Sequence, residues 1–303
     1  MKSHANLTKK MAAMTTKKNK PIKVLVMSVG DYDNNHTVHY FEKIGGAEHC
    51  LVCLPKQFGH NADSYRERNI DVFVYDEKKY INEEFEYFGY KPRNCGGVGR
   101  QGIAEAVEQY GKDYICFQVD DDTAAFCVEN YKTGKQTTIK SFENLAKLIY
   151  IEQEFYETTG IEVMAKTGAT ISNKFVSNRK IFNNFIMKQG NLLNFKGFAA
   201  LCSDDQRYNI YRNILQNTPM LSLGLVKIIF HQNQGDRKDG NAVLYNKDCS
   251  WKKSFTLKMM FPVAIRQSIK RETNRVLFRE CILASKIYPP IFLEEGGKLV
   301  AKV

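Results

Sequence analysis

Three consecutive carboxylates, Asp120, Asp121 and Asp122, close an apolar run that begins at Tyr114 and ends at Val119. The run has the composition of a buried strand, so the acids stand at a strand's carboxyl end. Like charges packed this closely repel, and ordering them is costly unless something cationic lies between them. Oxygen ligands select hard ions such as Mg²⁺ or Mn²⁺, which keep open positions for phosphate oxygens. The pattern points to an enzyme holding a metal-bound diphosphate at the end of a central strand. The competing reading is a solvated acidic turn, which would need no apolar strand before it.

Other chemistry-bearing groups are scattered along the chain. Gly97-Val98-Gly99-Arg100-Gln101-Gly102 matches G-x-G-x-x-G, with Asp120 further on. A dinucleotide fingerprint must directly follow a buried strand, whereas residues 88–95 read as a loop, so that reading is rejected. The glycines are expected to open a helix whose N-terminus attracts phosphate, with Arg100 adding a charge-assisted donor. Asp204 and Asp205 precede a helical stretch. They suit either a general base or a helix cap. His231 follows an apolar strand, where it is either a metal or diphosphate ligand or a satisfied edge residue. His36 and His39 read as surface residues. Cys50 and Cys53 form a lone C-x-x-C on a strand, where residues three apart face opposite sides and cannot share one zinc. No P-loop or nucleophile-elbow motif occurs.

The elements that must position these groups alternate. Residues 22–29 read as a buried strand closed by Gly30, 35–44 as a helix ended by Gly45-Gly46, and 49–54 as a second strand. A short helix over 63–69 leads to a third strand over 71–75. This alternation argues for an α/β sheet with parallel strands. A helix over 103–110, stopped by Gly111, then leads into the acid-bearing strand. Residues 126–131 and 136–140 flank a hairpin turn. Ser141 caps a long helix to about Thr159. Strands over 162–170 and 223–230, a helix over 205–216, and a mostly helical stretch over 262–288 complete the reading.

The 303 residues, 43% hydrophobic and 25% charged, suit a soluble globular protein with a real core. No stretch approaches the ~18 apolar residues of a membrane span. The first twenty residues carry six lysines and no apolar segment, so a flexible basic arm is expected rather than a secretory signal. Eight irregularly spaced cysteines, several inside apolar runs, suggest free thiols in a reducing compartment. The formal charge is +11, with basic residues gathered at both ends. A polyanionic partner is expected, nucleic acid being the commonest.

Together these pieces resemble a glycosyltransferase of the GT-A fold. The signs are an N-terminal α/β half, a helix entered through Arg100, the strand ending in Val119-Asp120-Asp121-Asp122, the pair Asp204-Asp205, and the late His231. The resemblance covers residues 22–245. The stretch from Gly97 to Gln101, leading into the three acids, looks more narrowly like the TET/JBP-associated glycosyltransferases, which decorate hydroxymethylated pyrimidines in DNA. The resemblance implies a single Rossmann-like sheet over 21–245, an arm over 1–20, and a basic, mainly helical extension over 246–303. It implies Mn²⁺ or Mg²⁺ on Asp120 and Asp122, with His231 as third ligand. It implies a nucleotide-sugar donor, expected to be a UDP-sugar, held by Ser28, Gly97, Gly99, Arg100, Asp120 and Asp121. Asp205, or its neighbour Asp204, would activate the acceptor hydroxyl. The expected partners are the donor and DNA, with neither a membrane nor an obligate protein partner, in the cytoplasm (a host's, if the protein is viral). The alternatives are a protein or glycan acceptor, a non-catalytic nucleic-acid-binding module, and a metal-dependent nuclease or nucleotidyltransferase.

Overall fold

A computed structural model describes residues 20–81, 96–129, 136–159, 162–167, 176–177, 186–187, 220–230, 292–295 and 298–301. The chain divides into two compact units. The first comprises Met1–Asp76, Gly102–Asn194 and Thr218–His231, and the second Glu77–Gln101, Phe195–Asn217 and Gln232–Val303.

The first unit is built on a parallel sheet. Its strands are β1 (Ile22–Met27), β2 (Cys50–Pro55), β3 (Asp71–Tyr75) and β4 (Ile115–Asp120). They lie in the order β3-β2-β1-β4, with a short β9 (Ile186–Met187) antiparallel at the β4 edge. β1, β2 and β4 are almost uninterrupted apolar runs, as strands covered on both faces must be. Lys23 is the exception in β1. Its ammonium pairs with Asp71 Oδ2 at 2.7 Å and lies 5.8 and 5.4 Å from the Tyr110 and Tyr114 ring centres. A charge in a buried strand is tolerated because it is paired there.

Four α-helices accompany the sheet among the described residues: α1 (His36–Lys43), α2 (Ala62–Arg66), α3 (Gly96–Tyr110) and α4 (Phe142–Thr159). Asn35 caps α1 by accepting from the Val38 N–H at 3.0 Å. Gly45 ends it with φ 71°, a left-handed conformation that glycine adopts without a Cβ clash. At Gly46 a Cβ would lie 2.4 Å from the Phe142 ring, so this glycine lets α4 approach. Ser141 Oγ accepts from the Asn144 N–H at 3.2 Å and caps α4, as its sequence position requires.

The main core lies on one face of the sheet. Val24, Val26, Val52, Leu54, Phe117 and Val119 meet Val38 and Phe41 of α1, Tyr65 of α2, and Phe142, Leu145 and Ile149 of α4. Each large side chain fully buried here contributes about 1.5–3 kcal/mol relative to exposure. The opposite face takes α3. A Cβ on Gly102 would fall 2.3 Å from the Tyr75 ring, and Tyr110 stands beside Lys23 at the other end of the helix. The faces follow from the strand order. Right-handed crossovers from β1 to β2 and from β3 to β4 run in opposite directions across the sheet, so their helices land on opposite sides.

Several expectations are revised. The sheet is not single. A second, mixed sheet runs β6 (Gln136–Thr138), β5 (Thr123–Glu129), β10 (Met220–Phe230) and β7 (Glu162–Thr167), with β8 (Val176–Ser177) also on β10. β10 pairs antiparallel with β5 and parallel with β7. Phe126 of β5 enters the main core, 5.8 Å from Phe117 between ring centres. The glycine motif opens a helix, as expected, and that helix is continuous with the one expected over 103–110. α3 already begins at Gly96, because the buried positions Val98, Ile103, Ala106 and Val107 carry the apolar spacing seven residues upstream. His36 and His39 are half-buried rather than surface residues, and His39 meets Tyr32 edge-on at 4.7 Å. The described residues near the C-terminus form a hairpin, β11 (Phe292–Glu295) with β12 (Lys298–Ala301). The arm, the 132–135 turn, and the helices expected over 205–216 and 262–288 lie outside the described residues.

Candidate active site

β1 and β4 are adjacent and parallel, with Met27 level with Asp120. The chain leaves β1 toward one face and reaches β4 from the other. The order therefore reverses between them, and open α/β sheets bind ligands outside the carboxyl ends at such a switch point. Ser28, Gly30 and the three acids all stand there.

The segment after β1 is fastened from several sides. Buried Ser28 accepts from the Gly30 N–H at 3.2 Å and donates from Oγ to Asp121 Oδ2 at 2.8 Å. The Tyr65 hydroxyl lies 2.9 Å from the carbonyl oxygens of both Gly30 and Asp31, and accepts from Asn35 Nδ2 at 3.1 Å. Burial pushes the Tyr65 phenol up to about 12, so it stays a proton donor. Asn61 Nδ2 donates to the Val29 carbonyl at 3.0 Å.

The acidic turn is fastened to α1. The Thr37 N–H donates to the Asp121 carbonyl at 3.1 Å. The Thr37 hydroxyl donates to the Asp120 carbonyl and accepts from the Thr123 N–H, the latter at 2.9 Å. The positive end of the α1 dipole thus faces a turn that carries three carboxylates. Period-two alternation separates their directions: Asp120 shares a face with Gln118, while Asp121 is held by Ser28 on the α1 side.

Among the described residues no group of three or more His, Cys, Asp or Glu side chains could by itself hold a metal ion. Asp120 and Asp122 would fill only part of the coordination of Mg²⁺ or Mn²⁺, leaving positions for substrate oxygens. Such ions are commonly bound by one or two carboxylates plus phosphate oxygens. Asp120 and Asp122 flank Asp121, whose carboxylate is engaged by Ser28.

Ser28, Asp120, Asp121 and Asp122 are therefore brought together. Gly97, Gly99 and Arg100 lie in the second unit, buried in the first turns of α3, and Arg100 is 2% exposed. Asp204, Asp205 and His231 lie outside the described residues. The free cysteines Cys50, Cys53 and Cys116 are buried, and burial raises all three thiols, Cys116 to about 12, so none is a ready thiolate. Sequence reasoning missed Thr37. Its signal was a hydroxyl at the head of an otherwise apolar helical stripe, Thr37, Phe41 and Ile44.

No protein-family model matches the chain, and no curated protein matches it. Among the described residues no helix is long and apolar enough to cross a membrane.

Proposed function

We propose that this chain is a metal-dependent glycosyltransferase that moves a sugar from a nucleoside diphosphate to a hydroxyl acceptor, the acceptor being a hydroxymethylated pyrimidine in DNA. The observation that carries the reading is the position of the acidic turn at the carboxyl ends of β1 and β4, where their order reverses. Asp120 and Asp122 would hold the ion. A bound divalent ion would offset the negative charge that grows on the leaving diphosphate. The segment 28–35 is tied down through Tyr65 and Asn35 and joined to the acidic turn by the Ser28–Asp121 hydrogen bond. Support for DNA as acceptor is electrostatic: the formal charge of +11 and the six lysines of the first twenty residues favour a polyanion.

The test is nucleoside mass spectrometry after incubating the protein and Mn²⁺ with hydroxymethylated DNA and a panel of sugar nucleotides. The expected result is a hexose or pentose mass on the modified nucleoside. It should be lost with EDTA and with Asp120→Asn or Asp122→Asn, both of which should melt as wild type does. Near-normal turnover by either variant at saturating Mn²⁺ would sink the metal site. Transfer to protein or glycan acceptors but not to DNA would reassign the acceptor.

A further inference from the structure

We infer that Thr37 is a positioning residue for the metal-binding carboxylates, holding the turn from Asp120 to Thr123 in its ion-binding shape before any ion arrives. This rests on the reading that Asp120 and Asp122 hold a divalent ion.

One side chain closes the turn from both ends. The Thr37 hydroxyl gives its proton to the carbonyl of Asp120, the last residue of β4, and accepts from the N–H of Thr123, the first residue of β5. Its own N–H, in the first turn of α1, donates to the carbonyl between them, that of Asp121. Residues 120, 121 and 123 are thus each bonded by their main chain to a single residue on another element. Thr37 itself is fully buried, and Asn35 and the core contacts of Val38 and Phe41 fix the helix that carries it.

The chemistry explains why such a clamp is useful. Three adjacent carboxylates repel, and an unrestrained turn would splay them apart in the metal-free protein. Bonds to main-chain groups hold the Cα positions without using a carboxylate oxygen. A site ordered in advance spends less of its binding energy on ordering. Outer-shell partners of metal ligands typically change metal affinity by ~10–100-fold when lost.

The experiment titrates the full-length protein with Mn²⁺ alone, reading free ion by its electron paramagnetic resonance signal. Metal-free samples are melted in parallel. Thr37→Val keeps the shape but removes the donor and the acceptor. It should weaken Mn²⁺ binding ~10-fold or more, while Thr37→Ser should stay close to wild type. A purely structural threonine would give T37V a lower melting temperature with unchanged Mn²⁺ affinity, and that result overturns the inference. Asp120→Ala is the control for the underlying reading. Undiminished Mn²⁺ binding there defeats the metal site itself, and the inference with it. Loss in D120A beside wild-type affinity in T37V defeats the inference alone. If T37V does not fold, Thr37→Cys offers a much weaker donor and acceptor in a similar volume. T37C affinity equal to that of T37S would then overturn the clamp.

Discussion

Gln118 sits two residues before Asp120 on the same face of β4, fully buried, with no hydrogen-bond partner among the described residues for either its amide nitrogen or its oxygen. An amide buried this way costs about 1–3 kcal/mol. Gln118→Met keeps the length and removes both polar atoms. It should raise the urea midpoint by an amount equivalent to about 1–3 kcal/mol, with the m-value unchanged. A lower midpoint would mean that the amide has a stabilising partner after all. A second expectation concerns alkaline pH. Burial pushes the phenols of Tyr40 and Tyr65 up from 10.0 to about 12. The unfolded chain loses these protons first, so the contribution is whole below pH 10 and falls away between 10 and 12. Melting temperature should drop as pH rises through that window. Tyrosinate absorbance should show a late-titrating class that becomes ordinary on unfolding, and uniform titration near 10 in the folded protein would contradict it.

The contact between α3 and the sheet depends on one missing side chain. Ala is the better helix former than Gly by about 1 kcal/mol, so propensity alone makes Gly102→Ala stabilising. The geometry opposes it. The new Cβ would lie 2.3–2.6 Å from Cε1, Cδ1 and Cγ of Tyr75, and Cγ lies at the root of the ring, where rotation about χ2 does not move it. Overpacking of this kind costs about 1–3 kcal/mol. The packing cost should win, with G102A melting below wild type. Combining it with Tyr75→Leu, which removes the ring, should recover part of the deficit relative to Y75L alone. Strictly additive effects would show that the two residues do not meet.

For the whole molecule, charge is the handle on the proposed DNA acceptor. The arm over 1–20 supplies six of the lysines and no apolar anchor. If it acts through phosphates, deleting it should weaken DNA binding while leaving sugar-nucleotide binding unchanged. Counterion release sets the size of the effect. The log–log salt slope should become shallower by up to about 5, at ~0.9 for each phosphate that the arm no longer neutralises. Equal DNA affinity for the full and shortened chains across the salt range would remove the arm from acceptor binding.

What the sequence determined by itself was local. Ile22 to Met27, Cys50 to Pro55 and Asp71 to Tyr75 read as strands because apolar and β-branched residues cluster there between turn residues. Asn35, Gly45 and Ser141 marked helix ends because a cap bonds to residues within a turn of itself. The acids could be placed at the end of β4 for the same reason. The motif at Gly97 was legible as the start of a helix, and α3 does begin there, at Gly96. Tertiary structure alone decided that β4 lies beside β1 and not beside β3, which makes the strand end a switch point. It also brought Thr37 to Asp120 across 83 residues of sequence, and Ser28 to Asp121 across 93. Alternation along a strand tells which face a residue takes. Which strand lies next to it depends on crossover handedness and on the burial of both faces, and these are properties of the assembled sheet.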